Sequence, residues 1–184
     1  MFLIGPFYPN LFLDAALILF PLLYAKYSEK LKIRAIDFGL PAKGTWAAKD
    51  LLLALKITGA LLLVSFALTI ILTLANLNDL AGVEGAIRTL TSAPFPVLVY
   101  FMVVRVFAEE FFFRAFLVPR IGVVGSSALF AFSHFGYGSV AEIIGAFALG
   151  AVLAYYYSKE KRLVPNYIAH MIYNALAIGL MVSA

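Results

Sequence analysis

The chain has 184 residues, 64% hydrophobic and only 13% charged, with a mean hydropathy of +0.97, whereas soluble domains run at about 45–50% apolar and about 25% charged. This excludes a water-soluble domain, and at about 20 apolar residues per crossing the length accommodates about five to seven spans with no soluble second domain. The absence of cysteine excludes disulfides, iron–sulfur clusters and thiolate metal sites, and a net charge of +4 belongs, in such a chain, to cytoplasmic loops rather than to nucleic-acid binding.

The first ten residues, MFLIGPFYPN, lack a positive n-region, and no A-x-A-like cleavage site follows the apolar stretch, so the first hydrophobic segment is expected to remain as a helix. Six segments are long and apolar enough to span: 9 to 26, 48 to 76, 94 to 118, 121 to 136, 139 to 158 and 163 to 183. They must be helices, because backbone groups of an open sheet go unpaired in lipid. Residues 26 to 50 read as an interfacial loop with Trp46 at headgroup depth. The second span exceeds a bilayer and is expected to tilt or project. HFGYG at 134 to 138 is expected to break the short fourth one. Gly145, Ala146, Ala148, Gly150, Ala151 and Ala154 give the fifth a small-residue surface suited to close helix packing.

Basic residues set the orientation. Lys26, Lys30, Lys32, Arg34, Lys43 and Lys49 lie in the first loop, Arg120 follows the third segment, and Lys159, Lys161 and Arg162 join the fifth to the sixth. With alternating spans these share one side and leave Arg88 on the other, which places both termini outside the cytoplasm. The expected fold is therefore an all-α polytopic membrane helical bundle of about six transmembrane helices. It is expected to form one domain over 1–184 and to sit in a prokaryotic cell membrane.

An ionised side chain at the bilayer centre costs at least about 2.5–3.5 kcal/mol, and the third segment holds Arg105, Glu109, Glu110 and Arg114. Arg105 with Glu109, and Glu110 with Arg114, stand four apart and can pair along a helix. The two histidines, His134 and His170, each close an apolar helical stretch, and Asn174 lies one turn beyond His170. Counted from Leu117 and Leu163, Glu109 and His170 lie about 10–12 Å deep. His134, counted from Gly122, lies about 18 Å deep, a gap that tilt or a break must close. Two outlying acids, Asp14 and Glu142, fall near outer span ends and are expected to be solvated or capping. Lys56 is expected to snorkel, and Phe111, Phe112 and Phe113 to pack against lipid and neighbouring helices.

Peptide hydrolysis needs an activated water, a group that takes and returns its proton, and donors aimed at the developing oxyanion. Glu109 and His134 could hold the water, His170 and Asn174 could donate to the oxyanion, and Glu110 with Arg114 would support the helix. Arg105 beside Glu109 would weaken it as a base, so Arg105 is expected to point away from His134. No metal is expected; a bound one would need Glu109, His134 and His170 to converge at about 2.0–2.2 Å. Ser133 adjoins His134 in sequence, but neighbours on a helix diverge by about 100°, which speaks against a serine mechanism.

EEFFFR at 109 to 114 fits EExxxR, FAFSH at 130 to 134 fits FxxxH, and HMIYN at 170 to 174 fits HxxxN. In this order they resemble the CPBP family of intramembrane endopeptidases, which includes CAAX prenyl proteases and bacteriocin-processing and self-immunity proteins; the resemblance covers 94–184. It implies a helical bundle with the motifs lining a cavity reached from the cytosol, and a glutamate-dependent, cofactor-free hydrolysis near the cytosolic membrane face. By position it implies Glu109 as the water-activating glutamate, His134 as its partner, His170 and Asn174 as the oxyanion pair, and Glu110 and Arg114 as supporting residues. The expected partner is a membrane-associated or lipidated polypeptide. Two other readings stand beside it: a non-enzymatic scaffold or immunity protein of the same fold, and a small proton-coupled transporter, for which the outer span halves offer little polar path.

Overall fold

A computed structural model describes residues 11–30, 35–41 and 48–183, and among them every regular element is helical. Helix α1 (Leu11–Tyr27) carries Pro21 inside it, and a short 3₁₀ turn (Ala35–Phe38) precedes α2 (Ala48–Leu74). At 27 residues α2 is about 40 Å long, more than a hydrocarbon core of about 30 Å requires. Lys32, Arg34, Lys43 and Trp46, expected in the interfacial loop, lie outside the described residues.

Residues 81–92, where no span was expected, form α3 (Ala81–Ser92). Val83, Ala86, Ile87 and Leu90 recur at helical spacing and are buried, while Glu84, Arg88 and Thr89 face outward. A helix of 12 residues is too short to cross; it packs its apolar stripe on Leu98, Phe101, Ile178 and Met181.

The next run is helical from Phe95 to Tyr137, 43 residues in all. It comprises α4 (Phe95–Tyr100), a π-helical stretch Phe101–Arg105, α5 (Val106–Glu109), a second π-helical stretch Glu110–Leu117 and α6 (Val118–Ser133). At Gly122 the backbone leaves the helix with φ 75° and ψ 179°, a conformation open to glycine and strained for other residues. There the chain folds back, so that the Ser126 hydroxyl donates to the Phe113 carbonyl at 2.5 Å and Phe130 meets Phe113 at 5.1 Å between ring centres. The expected third and fourth segments are thus two antiparallel arms. As HFGYG foretold, α6 stops at Ser133, and a single 3₁₀ turn, Phe135–Tyr137, leads to Gly138.

Helices α7 (Val140–Glu160) and α8 (Leu163–Ser183) complete the bundle. Among the described residues four helical runs are long and apolar enough to cross a membrane. All six expected segments are helical: the 43-residue run, folded at Gly122, supplies the third and fourth as its two arms, and α1, 17 residues long, corresponds to the first.

The connections gather at two ends. At one, Arg120 pairs with Glu29 at 2.6 Å, Arg162 with Asp50 at 2.5 Å, and the Leu163 N–H donates to the Gly39 carbonyl at 2.8 Å. All three basic loops therefore meet there. At the other end, Asp79 receives the N–H groups of Val140 at 2.6 Å and Ala141 at 2.9 Å and the Ser139 hydroxyl at 3.1 Å. Ser139 accepts the Glu142 N–H at 2.9 Å, so two side chains cap α7. These backbone donors hold the Asp79 carboxyl below the usual carboxylate range. Gly82 allows α3 to approach the same corner, since a Cβ there would collide with the Tyr137 carbonyl oxygen.

The aromatic run packs as expected: Phe111 stacks on Phe38 at 4.8 Å, and Phe113 and Phe116 are buried. Ala146 and Ala154 are buried on the small-residue surface of α7. Lys56 is exposed, its Nζ 5.7 Å from the centre of the Tyr156 ring.

Candidate active site

A cavity of about 390 Å³ is lined by Glu109, His134, His170 and Asn174 together with Arg105 and Glu142. Four helical segments supply these residues: the first arm of the folded run, the end of its second arm, α7 and α8. Expected depths are corrected here. The first arm does not end near Leu117 but runs on to Gly122, so Glu109 stands 13 residues before that turn and His134 12 after it. Both then lie about 18–20 Å from the turn, and the expected gap between Glu109 and His134 disappears.

The cavity is lined by Leu61 to Leu72 of α2 and by His170 to Met181 of α8, and His170 stands seven residues, about 10 Å, from Leu163 at the basic end. The site therefore lies about 10 Å from one connection at that end and about 18–20 Å from the other, at mid-depth in the bundle.

Adjacent residues on a helix diverge by about 100°, and Glu110 accordingly leaves the cavity for the core. It is fully buried; its Oε1 lies 2.9 Å from His170 Nδ1 and 3.4 Å from an Arg114 nitrogen. Arg114 is equally buried, with its guanidinium 4.4 Å from the centre of the Phe130 ring. The supporting pair expected from the sequence is present, with a partner that spacing along one helix could not reveal. Asn166, also missed, donates from Nδ2 to the Leu153 carbonyl at 2.7 Å and locks α8 to α7.

The acceptors fix the histidine tautomers. His134 Nδ1 lies 2.9 Å from the Phe130 carbonyl oxygen, which can only accept, so Nδ1 carries the hydrogen and neutral His134 has an acceptor at Nε2. By the same argument the carboxylate of Glu110 takes a hydrogen from His170 Nδ1. Neutral His170 then has no Nε2 hydrogen to give, and it becomes a donor there only as an imidazolium, whose charge Glu110 balances.

Several expectations about the neighbours change. Arg105 does pair with Glu109, with Nε 3.3 Å from Oε1, and with Asp14, at 3.4 Å, but it does not bridge Glu109 to His134, whose Nδ1 faces the Phe130 carbonyl. Asp14 is not solvated: it is buried and takes a hydrogen bond from the Tyr100 hydroxyl at 2.6 Å, because α1 packs against the first arm at this level. Glu142 neither caps nor leaves the protein but lines the cavity. Ser133 Oγ comes within 3.2 Å of His134 Nδ1, nearer than helical geometry allows, because His134 has left the helix at φ −92° and ψ 0°. Its hydroxyl donates to the Phe130 carbonyl at 2.6 Å. Among the described residues no three His, Cys, Asp or Glu side chains are grouped to hold a metal ion, so Glu109, His134 and His170 share a cavity without forming a ligand set.

The described chain is thus a helical bundle, with four helical runs apolar enough to cross a membrane, that holds a cavity lined by Glu, His and Asn. Residues 91–176 match the family described as type II CAAX prenyl endopeptidase Rce1-like. The chain thus carries an Rce1-like domain, consistent with the CPBP intramembrane endopeptidases, a family of proteases acting on polypeptides. The match spans all six motif residues and excludes α1, α2 and most of α3. No curated protein and no solved structure matches the chain.

Proposed function

We propose that this chain is a glutamate-dependent intramembrane endopeptidase of a prokaryotic cell membrane, acting on a membrane-inserted or lipidated polypeptide without a metal. Glu109 holds and deprotonates the attacking water, with Nε2 of His134 as its second acceptor and proton carrier. The tetrahedral oxyanion is met by the amide of Asn174 and by His170 as an imidazolium balanced by Glu110. No covalent intermediate is needed. The observation that carries this reading is that Glu109, His134, His170 and Asn174, drawn from separate helical segments, line one cavity in the apolar interior while Glu110 stands behind His170.

The test is cleavage of a quenched fluorescent farnesylated CAAX peptide by purified protein in detergent, wild type beside Glu109→Gln, with and without a strong chelator. Cleavage is expected to survive the chelator and to fall by at least about a hundredfold in the variant. Cleavage lost to the chelator would replace the glutamate mechanism with a metal-dependent one, and a folded wild type inert on this peptide and on an unprenylated membrane-inserted peptide would favour a scaffold or immunity protein.

A further inference from the structure

Resting on this hydrolytic reading, we propose that Asp14 of α1, outside the matched domain, is a positioning residue that sets the orientation of Glu109 through Arg105. Three contacts form the chain of influence. The Tyr100 hydroxyl holds Asp14 Oδ2 at 2.6 Å, Asp14 Oδ1 lies 3.4 Å from Arg105 Nη1, and Arg105 Nε lies 3.3 Å from Glu109 Oε1. Asp14 and Arg105 are 2% and 7% exposed, so water does not compete for either.

The arrangement answers two needs at once. Arginine has a long side chain with many rotamers, and a carboxylate fixed behind it determines where its Nε sits. Nε engages one oxygen of Glu109, which turns the other toward the cavity. Charge is the second need. A lone guanidinium beside Glu109 would favour the ionised carboxylate and weaken it as a base. With Asp14 on its far side the guanidinium is shared between two carboxylates, and Glu109 keeps its place without being fully neutralised. A purely structural ion pair would hold α1 to the first arm and leave the chemistry untouched.

Asp14→Asn preserves size and the ability to accept from Tyr100 and Arg105, and removes the charge. On the farnesylated peptide its kcat is expected to fall about ten- to hundredfold, the scale of a small misplacement of a catalytic group, with KM within about twofold. Asp14→Glu is expected to recover part of the rate. On an Arg105→Gln background, Asp14→Asn is expected to change kcat less than about twofold, because the route it acts through is already cut. A readout independent of turnover accompanies these. In protein labelled with ¹³C-carboxyl glutamate, the antisymmetric carboxylate stretch of Glu109, isolated by subtracting the Glu109→Gln spectrum, is expected to shift in Asp14→Asn. Should wild type leave the peptide uncut, the hydrolytic reading suffers while the infrared band still decides whether Asp14 acts on Glu109. Should Asp14→Asn fold poorly, Tyr100→Phe, which removes one hydrogen bond from Asp14, is expected to move the band in the same direction by less. An unmoved band, a wild-type kcat, or additive losses with Arg105→Gln would overturn the proposal.

Discussion

Glu109 and Glu110 stand next to each other in sequence, and one step of about 100° gives them opposite surroundings. Glu109 lines the cavity, whereas Glu110 lies wholly in the core between an imidazole and a guanidinium. Glu110→Gln separates orientation from charge, since its amide oxygen still accepts from His170 Nδ1 but balances neither His170 nor Arg114. Cleavage of the farnesylated peptide is expected to show kcat lowered by about a hundredfold with little change in KM, the scale of losing one oxyanion donor. Melting in detergent should also drop clearly, because Arg114 keeps a fully buried charge with no carboxylate beside it. A variant with wild-type kcat would remove the imidazolium from the mechanism. The intrahelical partners, Arg105 with Glu109 and Glu110 with Arg114, were legible in the sequence because residues four apart on one helix must be neighbours. His170 behind Glu110, and Asp14 behind Arg105, were not. Their meeting depends on how each helix is rotated against the next, and the two π-helical stretches at 101–105 and 110–117 change that rotation without a mark in the spacing.

At the scale of elements, two features position the site and differ in how visibly the residues announce them. The turn at Gly122 sets Glu109 and His134 level, yet IGVVG reads as any short interruption between apolar runs. Nothing local says that the first arm continues past Leu117. The stripe Val83, Ala86, Ile87, Leu90 did carry a helical period, and a search limited to spans passes over it. Beside α3, Asp79 caps α7 from a distance and closes the corner that carries His134. Its carboxyl is held below the ordinary range by the N–H groups of Ala141 and Val140. A depressed folded value means that the stabilisation is present above the unfolded value, about 3.9, and is lost as pH falls through the folded one. Asp79→Asn should therefore melt below wild type at pH 7, and the difference should shrink steadily as the pH drops below about 4. A difference that stays constant down to pH 2.5 would mean that the hydrogen-bond pattern alone, and not the charge at the N-terminus of α7, supplies the effect.

For the whole molecule, charge is polarised between the two ends and the cavity lies between them. The basic loops meet where Arg120 binds Glu29 and Arg162 binds Asp50, and Arg88 sits on the exposed face of α3 at the far end. The positive-inside tendency puts the first end in the cytosol. The cavity runs from His170, about 10 Å from Leu163 at the basic end, to Met181 beneath α3, so the sidedness of the chain decides which face lies nearer to each part of it. Because the chain has no cysteine, single substitutions report cleanly on sidedness. In intact cells a membrane-impermeant maleimide should label Thr89→Cys and spare Lys159→Cys, both positions being exposed on the protein surface. That pattern would place the basic loops in the cytosol and the α3 end outside it. The reverse labelling would show that the basic loops face outward against the usual bias and bring the α3 end into the cytosol.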